Sequence, residues 1–224
     1  MDDLIKQYRE DPTVDEMRAL LAPLVARNAA FDGWRDAAVI NAAEQAGIDP
    51  DIAALAFPDG AVGMIDAWFA TIDHEMAERV PADQLATIKI RDRITALVEA
   101  RLAIVAPDRE ALRRALTLLA MPQNLPRSLR LGWRSADVMW RLAGDTATDY
   151  NHYSKRAILA SVYAATLLAF IDDQSEGHEE NRAFLARRID GIMRFEKFKA
   201  GLIPGPDQRL SLSRFIGRLR YPSV

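Results

Sequence analysis

The chain has 224 residues, half of them hydrophobic, with a formal net charge of −3 and no cysteine. That length is enough for one large domain, or a small and a larger one packed together, around a sizeable core. The missing cysteines exclude disulfides and thiolate metal sites, and the near-balanced charge provides no global field that would draw the protein to nucleic acid.

Glycine and proline sit between periodic segments, and strict apolar–polar alternation is missing. The pattern therefore predicts an all-α protein of nine to ten helices. Thr13, with Glu16 three residues later, forms a capping box for a helix ending near Phe31–Gly33. Asp36–Ala46 reads as a second helix, closed by Gly47. Asp49 or Pro50 starts a short third one that stops before Pro58. A fourth begins at Asp59 and carries Met64, Ile65, Trp68, Phe69 and Ile72. Pro81–Asp83 starts a long fifth, with Leu85, Ile88, Ile94, Leu97, Val98, Leu102 and Val105 on one stripe. Asp108–Leu119 is the sixth. Pro122 and Pro126 then fix the start of an amphipathic helix over Ser128–Arg141, which stops at Gly144. An apolar helix follows Tyr150, and the last long one spans Glu179–Phe198.

Little in this series looks catalytic. His74, His152 and His178 form no pair at metal-ligand spacing. No glycine-rich phosphate loop or nucleophile elbow is present. The reading is of a protein that is not an enzyme and needs no metal or cofactor. The N-terminus, MDDLIKQYRE, lacks the regions of a signal peptide or transit peptide. On that ground a bacterial cytoplasmic protein is expected, although a processed mature chain would look similar.

Three short helices with a turn at Gly47–Pro50 resemble the helix-turn-helix of TetR-type regulators. A DNA reader needs basic groups for phosphates. Here Trp34–Gly60 holds one positive charge (Arg35) against five negative ones (Asp36, Glu44, Asp49, Asp51, Asp59), a net of −4. Carboxylates facing a polyanion repel it, so no DNA binding is expected.

The longest uncharged run is Ala157–Ile171, which has fifteen residues. Crossing a bilayer takes about 20. The run is apolar nearly all round, so it predicts a buried core helix. Its small residues Ala160, Ala164 and Ala165 leave room for close helix packing or for an apolar channel. Beyond Lys199 come the breakers GLIPGPD and then RLSLSRFIGRLRY. Leu212, Phe215, Ile216 and Leu219 share one helical face, with Arg214 and Arg218 on the other and Arg209 and Arg220 adding charge. A basic amphipathic helix behind a linker suits an anionic membrane surface.

The strings MPQNLPRSL, DVMWRLAGD, TDYNHYSKRAILASVY and AFLARRIDGIM resemble the Coq-nine family, lipid-binding accessory proteins of ubiquinone biosynthesis. A weaker similarity covers Leu20–Phe69, so the resemblance runs from about Ala22 to Met193. It implies a TetR-like fold with residues 1–72 as a degenerate helix-turn-helix part, 73–199 as a helical lipid-binding part, and 200–224 as linker and membrane-contacting tail. It implies an isoprenoid quinone intermediate or phospholipid as ligand, with Leu159, Val162, Tyr163, Leu167 and Phe170 lining its site. It implies the di-iron demethoxyubiquinone hydroxylase as partner, docking on Met121, Asn124, Leu125, Trp133, Asp137 and Trp140. A homodimer through the last helices is also expected. The location implied is peripheral on the bacterial inner membrane, or the matrix side of the mitochondrial one. The alternative is a ligand-responsive TetR-type transcriptional regulator.

Overall fold

The structure is a computed structural model that describes residues 12–146 and 150–202. Among the described residues every regular element is helical. Helix α1 spans Val14–Asp32, α2 Asp36–Ala46, α3 Pro50–Ala54, α4 Gly60–Arg79 and α5 Ala82–Ala86. Helix α6 spans Ile90–Val105, α7 Arg109–Leu119, α8 Leu125–Leu142, α9 Tyr150–Asp172 and α10 Glu179–Leu202. The described residues divide into two compact units, one ending at Leu185 and the other beginning at Ala186. The first holds α1 to α9 and the opening turns of α10.

The caps expected from sequence form as read. Thr13 Oγ1 accepts from the Glu16 amide while the Glu16 carboxylate accepts from the Thr13 amide at 2.9 Å, which satisfies two orphan donors of α1. Gly47 closes α2 in the left-handed region, φ 69°, a conformation glycine adopts without a Cβ penalty. The Asp49 carboxylate accepts from the Asp51 and Ile52 amides to start α3, with Pro50 in its first turn.

Helices α1 to α3 pack on one another, and α1 also packs on α4 and α7. Trp34, just before α2, seats against Trp68 of α4 with ring centroids 5.4 Å apart. Its indole N–H donates to the Ala111 carbonyl of α7 at 3.1 Å. Met64, Ile65, Trp68, Phe69 and Ile72 are all buried, as the stripe predicts. Helix α4 runs unbroken across residues 72 and 73 and so belongs to both halves of the fold.

The long fifth helix does not form as one piece. The chain breaks at Thr87–Lys89 into α5 and α6, and Ile88 is left substantially exposed. Two β-branched residues sit at the break, and the Thr87 hydroxyl bonds back to the Gln84 carbonyl. The carbonyls released there are collected by one guanidinium: Arg93 donates to Ala86, to Ile88 and, across to the end of α8, to Ala143. Helix α8 starts at Leu125 and not at Ser128, with Pro126 inside its first turn, where the missing N–H costs nothing.

A buried polar pin crosses the bundle. Arg101 of α6 is fully buried; it pairs with Asp73 of α4, donates to Ser135 Oγ of α8 at 3.1 Å, and lies over the Tyr163 ring of α9 at 4.8 Å. Asp73 also accepts from Arg134 of α8 at 3.3 Å. A buried guanidinium is tolerable only with partners of this kind, and these come from three other helices, α4, α8 and α9.

Candidate functional site

Helices α8 and α9 carry the motifs singled out by sequence, and they pack directly on each other. Gly132 faces α9, where an added Cβ would lie 3.8 Å from that of Ala160. The C-terminal end of α8 is latched to the first turns of α9 by polar contacts. Arg156, only 2% exposed, donates from Nε to Asp137 at 2.5 Å, and from Nη1 to Asp145 and to the His152 carbonyl, each at 3.1 Å. Lys155 Nζ reaches the other Asp145 oxygen at 2.6 Å and lies over the Trp140 ring at 5.3 Å. The Trp140 indole donates to the Lys155 carbonyl at 3.0 Å. Burial opposes ionisation of Asp145, but the hydrogen bonds from Lys155 and Arg156 outweigh it and hold the carboxyl below its ordinary value.

This latch divides the six residues expected to dock a partner. Asp137 is held by Arg156 and by Arg141, whose Nε lies 2.8 Å from its second oxygen. Trp140 is half-buried with its indole N–H used internally. The Asn124 amide donates to the Leu118 carbonyl at the end of α7. Met121, Leu125 and Trp133 are the three with surface to offer. Trp133 is half-buried and faces the Tyr153 ring at 6.0 Å and the His152 ring at 6.4 Å. Beside them stand two residues that sequence reasoning misses: Leu129, 73% exposed, and Tyr153, 62% exposed. Leu125, Leu129 and Trp133 fall at i, i+4 and i+8, a signal present in the sequence. Leu125, Leu129 and Trp133 along one row of α8, with Tyr153 against Trp133, form an apolar surface patch, and Met121 is exposed just ahead of α8.

Alongside the patch, a cleft of about 460 Å³ opens between α4 and α8. Its walls include Val62, Leu131, Trp133, two aspartates and three arginines. Asp59 lies 3.5 Å from Arg127, and Asp66 lies 2.7 Å from Arg134. A second groove of about 380 Å³ lies where Trp34 and Arg35 meet α7.

The five side chains expected to line a lipid, Leu159, Val162, Tyr163, Leu167 and Phe170, are all buried. They lie on the inward face of α9 and fill the core there. Phe170 borders a cavity of about 70 Å³ between α6, α9 and the start of α10. Asn181 and His178 Nδ1 present buried polar atoms there without partners. A cavity that holds benzene measures about 150 Å³, so this one has room for waters and not for a ring. Helix α9 is also not buried all round. Tyr153, Ala157, Ser161, Ala164 and Leu168 make an exposed lane along it. The uncharged run is explained by an inward apolar face plus an outer lane in which Ala157, Ser161 and Ala164 are small and Leu168 is an exposed apolar side chain. Its 21 residues His152–Asp172 are long and apolar enough to cross a membrane.

In the helix-turn-helix part, Glu44, Asp49, Asp51 and Asp59 are exposed, together with the apolar side chains of Ile52 and Leu55. The tail residues Leu212, Arg214, Phe215, Ile216, Arg218 and Leu219 lie outside the described residues. Among the described residues no cluster of three or more histidine and carboxylate side chains could hold a metal ion.

An all-α bundle with three leading helices in helix-turn-helix order and a larger helical part is the fold of TetR-type regulators. A crystal structure of a TetR transcriptional regulator from Nitrosomonas europaea superposes with a TM-score of 0.62, covering 78% of this chain and 97% of that one, at 20% identity. That likeness establishes the fold. The sequence goes further. Residues 125–196, the α8–α9 pair and the helix after it, match the model of the family described as COQ9. The ubiquinone biosynthesis protein COQ9 of rat mitochondria is 34% identical over 167 residues, 72% of this chain and 54% of that protein. The human protein is 32% identical over the same share of this chain and 52% of its own length, and the Drosophila melanogaster one 27% over 82% and 57%. The chain is thus similar to the COQ9 proteins over 72% of its length, and it spans about half the length of the curated relatives it matches.

Proposed function

We propose that this chain is a non-catalytic, isoprenoid-lipid-binding accessory protein of ubiquinone biosynthesis, which presents a quinone precursor to the di-iron demethoxyubiquinone hydroxylase. The observation that carries this reading is the position of the family match: residues 125–196 are the helices that frame the exposed patch of Leu125, Leu129, Trp133 and Tyr153, with Met121 just ahead of it. Tryptophan and tyrosine are enriched in binding hot spots, and the exposed leucines beside them extend the apolar surface that marks an interaction site. The hydroxylase docks on that patch. The latch of Arg156, Asp137, Asp145 and Trp140 fixes the angle between α8 and α9 and so holds the patch in shape.

The lipid occupies the region behind α9. In the present packing its side chains close on one another, so ligand uptake requires α9 to shift outward, or the isoprenoid to lie along the exposed lane of Ala157, Ala164 and Leu168. The same lane is the surface for a second copy in a homodimer. The basic tail brings the protein to the membrane, as a peripheral protein on the matrix side of the mitochondrial inner membrane or the cytoplasmic side of a bacterial one. The rat and human relatives are mitochondrial. Organic extraction of the purified full chain, followed by mass spectrometry, tests the lipid. An isoprenoid quinone or its precursor is expected; protein that carries no lipid from a quinone-producing host contradicts the proposal.

A regulator is the second reading, favoured by the fold alone. The exposed carboxylates on and around α2 and α3 oppose it, since a phosphate-binding surface gains its affinity from cations.

A further inference from the structure

The cleft between α4 and α8 is built around three arginines. Arg127, Arg130 and Arg134 fall at i, i+3 and i+7 of α8, so they share one face. Two are engaged. Arg134 is bound to Asp66 and Asp73 and through Asp73 joins the buried Arg101 pin, so it belongs to the scaffold. Arg127 sits within 3.5 Å of Asp59, with both side chains well exposed to solvent. Arg130 differs. It is exposed on the cleft wall, and among the described residues no carboxylate pairs with it. Asp137, which lies about two helical turns further on along the same face, is already held by Arg156 and Arg141.

In the neighbouring row of α8, about 100° round the helix, run Leu125, Leu129 and Trp133, and Trp133 belongs to both the apolar patch and the cleft wall. The start of α8 therefore offers an apolar ridge flanked on one side by a row of guanidinium groups with one charge unspent. A purely apolar partner would leave Arg130 desolvated and unpaired, which disfavours docking. A partner segment with apolar anchors on one side and a carboxylate beside them would satisfy both rows. Arginine suits that pairing because its planar fork matches a carboxylate.

We propose that the α4–α8 cleft is a carboxylate-receiving site in which Arg130, assisted by Arg127, binds an acidic residue on an amphipathic segment of the docking partner, while Leu125, Leu129 and Trp133 receive its apolar face. This rests on the docking of the hydroxylase at the patch and adds the chemistry of the partner's surface. A rim charge of this kind acts chiefly on association rate and salt dependence.

The experiment measures binding of the purified hydroxylase to the full chain at low and high ionic strength, for wild type, Arg130→Glu, Arg127→Glu and Arg182→Glu. Arg182 lies on a different face, at the start of α10. The expected result is salt-sensitive wild-type binding, weakened about tenfold by Arg130→Glu and less by Arg127→Glu, and unchanged by Arg182→Glu. In parallel, Arg130→Lys supplies an amine for a zero-length carbodiimide cross-linker. A cross-link from position 130 to a partner aspartate or glutamate, located by peptide mass spectrometry, is the direct expected product. If the complex forms but Arg130→Glu binds like wild type and Arg130→Lys yields no such cross-link, the carboxylate site is overturned and the docking reading stands. If wild type does not bind the hydroxylase at all, the docking reading falls and this inference falls with it. Circular dichroism melts identify any variant that fails to fold, in which case the cross-link decides.

Discussion

Replacing Arg156 with leucine tests whether the latch between α8 and α9 is as stabilising as its geometry implies. The guanidinium is 2% exposed and makes three charge-assisted hydrogen bonds, to Asp137, Asp145 and the His152 carbonyl. Leucine keeps much of the buried volume but leaves two carboxylates short of a partner. Breaking one side of a buried ion pair costs about 3–5 kcal/mol. Each aspartate keeps one cation: Asp137 keeps Arg141, which is mostly exposed and therefore screened, and Asp145 keeps Lys155. The loss should fall at the lower end, about 3 kcal/mol, which for a domain of this size lowers the melting temperature by about 6–12 °C. Urea unfolding followed by circular dichroism measures it. The sign with pH is also fixed. Asp145 titrates below the ordinary 3.8 in the folded protein, so its stabilisation is present above that value and is lost as pH falls through the folded pKa. Arg156→Leu should weaken the depression and move the onset of acid unfolding to higher pH. A loss below about 1 kcal/mol, with an unchanged acid limb, would show that the cluster behaves as a solvated surface network and that the latch is not a stabilising element.

Gly144→Ala should cost about 1–2 kcal/mol, because the residue sits at φ 88° and the new Cβ would lie 3.2 Å from Arg93 Nη1; thermal melts read it, and an unchanged Tm would contradict the assignment. Duplex DNA should not be retarded by the protein in gel shifts at physiological ionic strength, given the net −4 over Trp34–Gly60; salt-sensitive submicromolar binding would refute this. Deleting Arg209–Val224 should abolish pelleting with anionic liposomes while leaving the helical signal and cooperative melt intact; equal pelleting by the truncated chain would make the tail a packing element.

Much of the fold is legible because its signals are local. Thr13 and Glu16, Gly47, and the Asp49–Pro50 start are chemistry between neighbours, and each produces the boundary it implies. The stripe of Met64, Ile65, Trp68, Phe69 and Ile72 marks a buried face by period alone. The break between α5 and α6 is not legible, because Arg93 stabilises it through a contact with Ala143, fifty residues away. The candidate site is hard to read for the same reason. Trp133, Asp137 and Trp140 share a helical face in sequence, but whether that face meets solvent depends on where α9 lies. Arg156 claims Asp137, the Lys155 carbonyl claims Trp140, and only the earlier turns of α8 stay open. The i, i+4, i+8 spacing of Leu125, Leu129 and Trp133 is present in the sequence, but it marks a buried row as readily as an exposed one. That Leu129 is exposed and that no carboxylate among the described residues pairs with Arg130 depends on how the helices pack, which a sequence does not display. The uncharged run of α9 misleads in the opposite direction: alanine and serine at its outer positions read as core, yet they face outward.

The proposed role is tested most closely by the reaction that the chain would assist. Demethoxyubiquinone in liposomes would be supplied to the purified di-iron hydroxylase, with and without the full chain, and the hydroxylated product followed by mass spectrometry. The chain should raise the rate of product formation, and Leu129→Ser combined with Trp133→Ala should remove the increase while the variant keeps its fold. An identical rate with and without the chain, under conditions where the hydroxylase itself is active, would contradict the role of an accessory that presents quinone precursor.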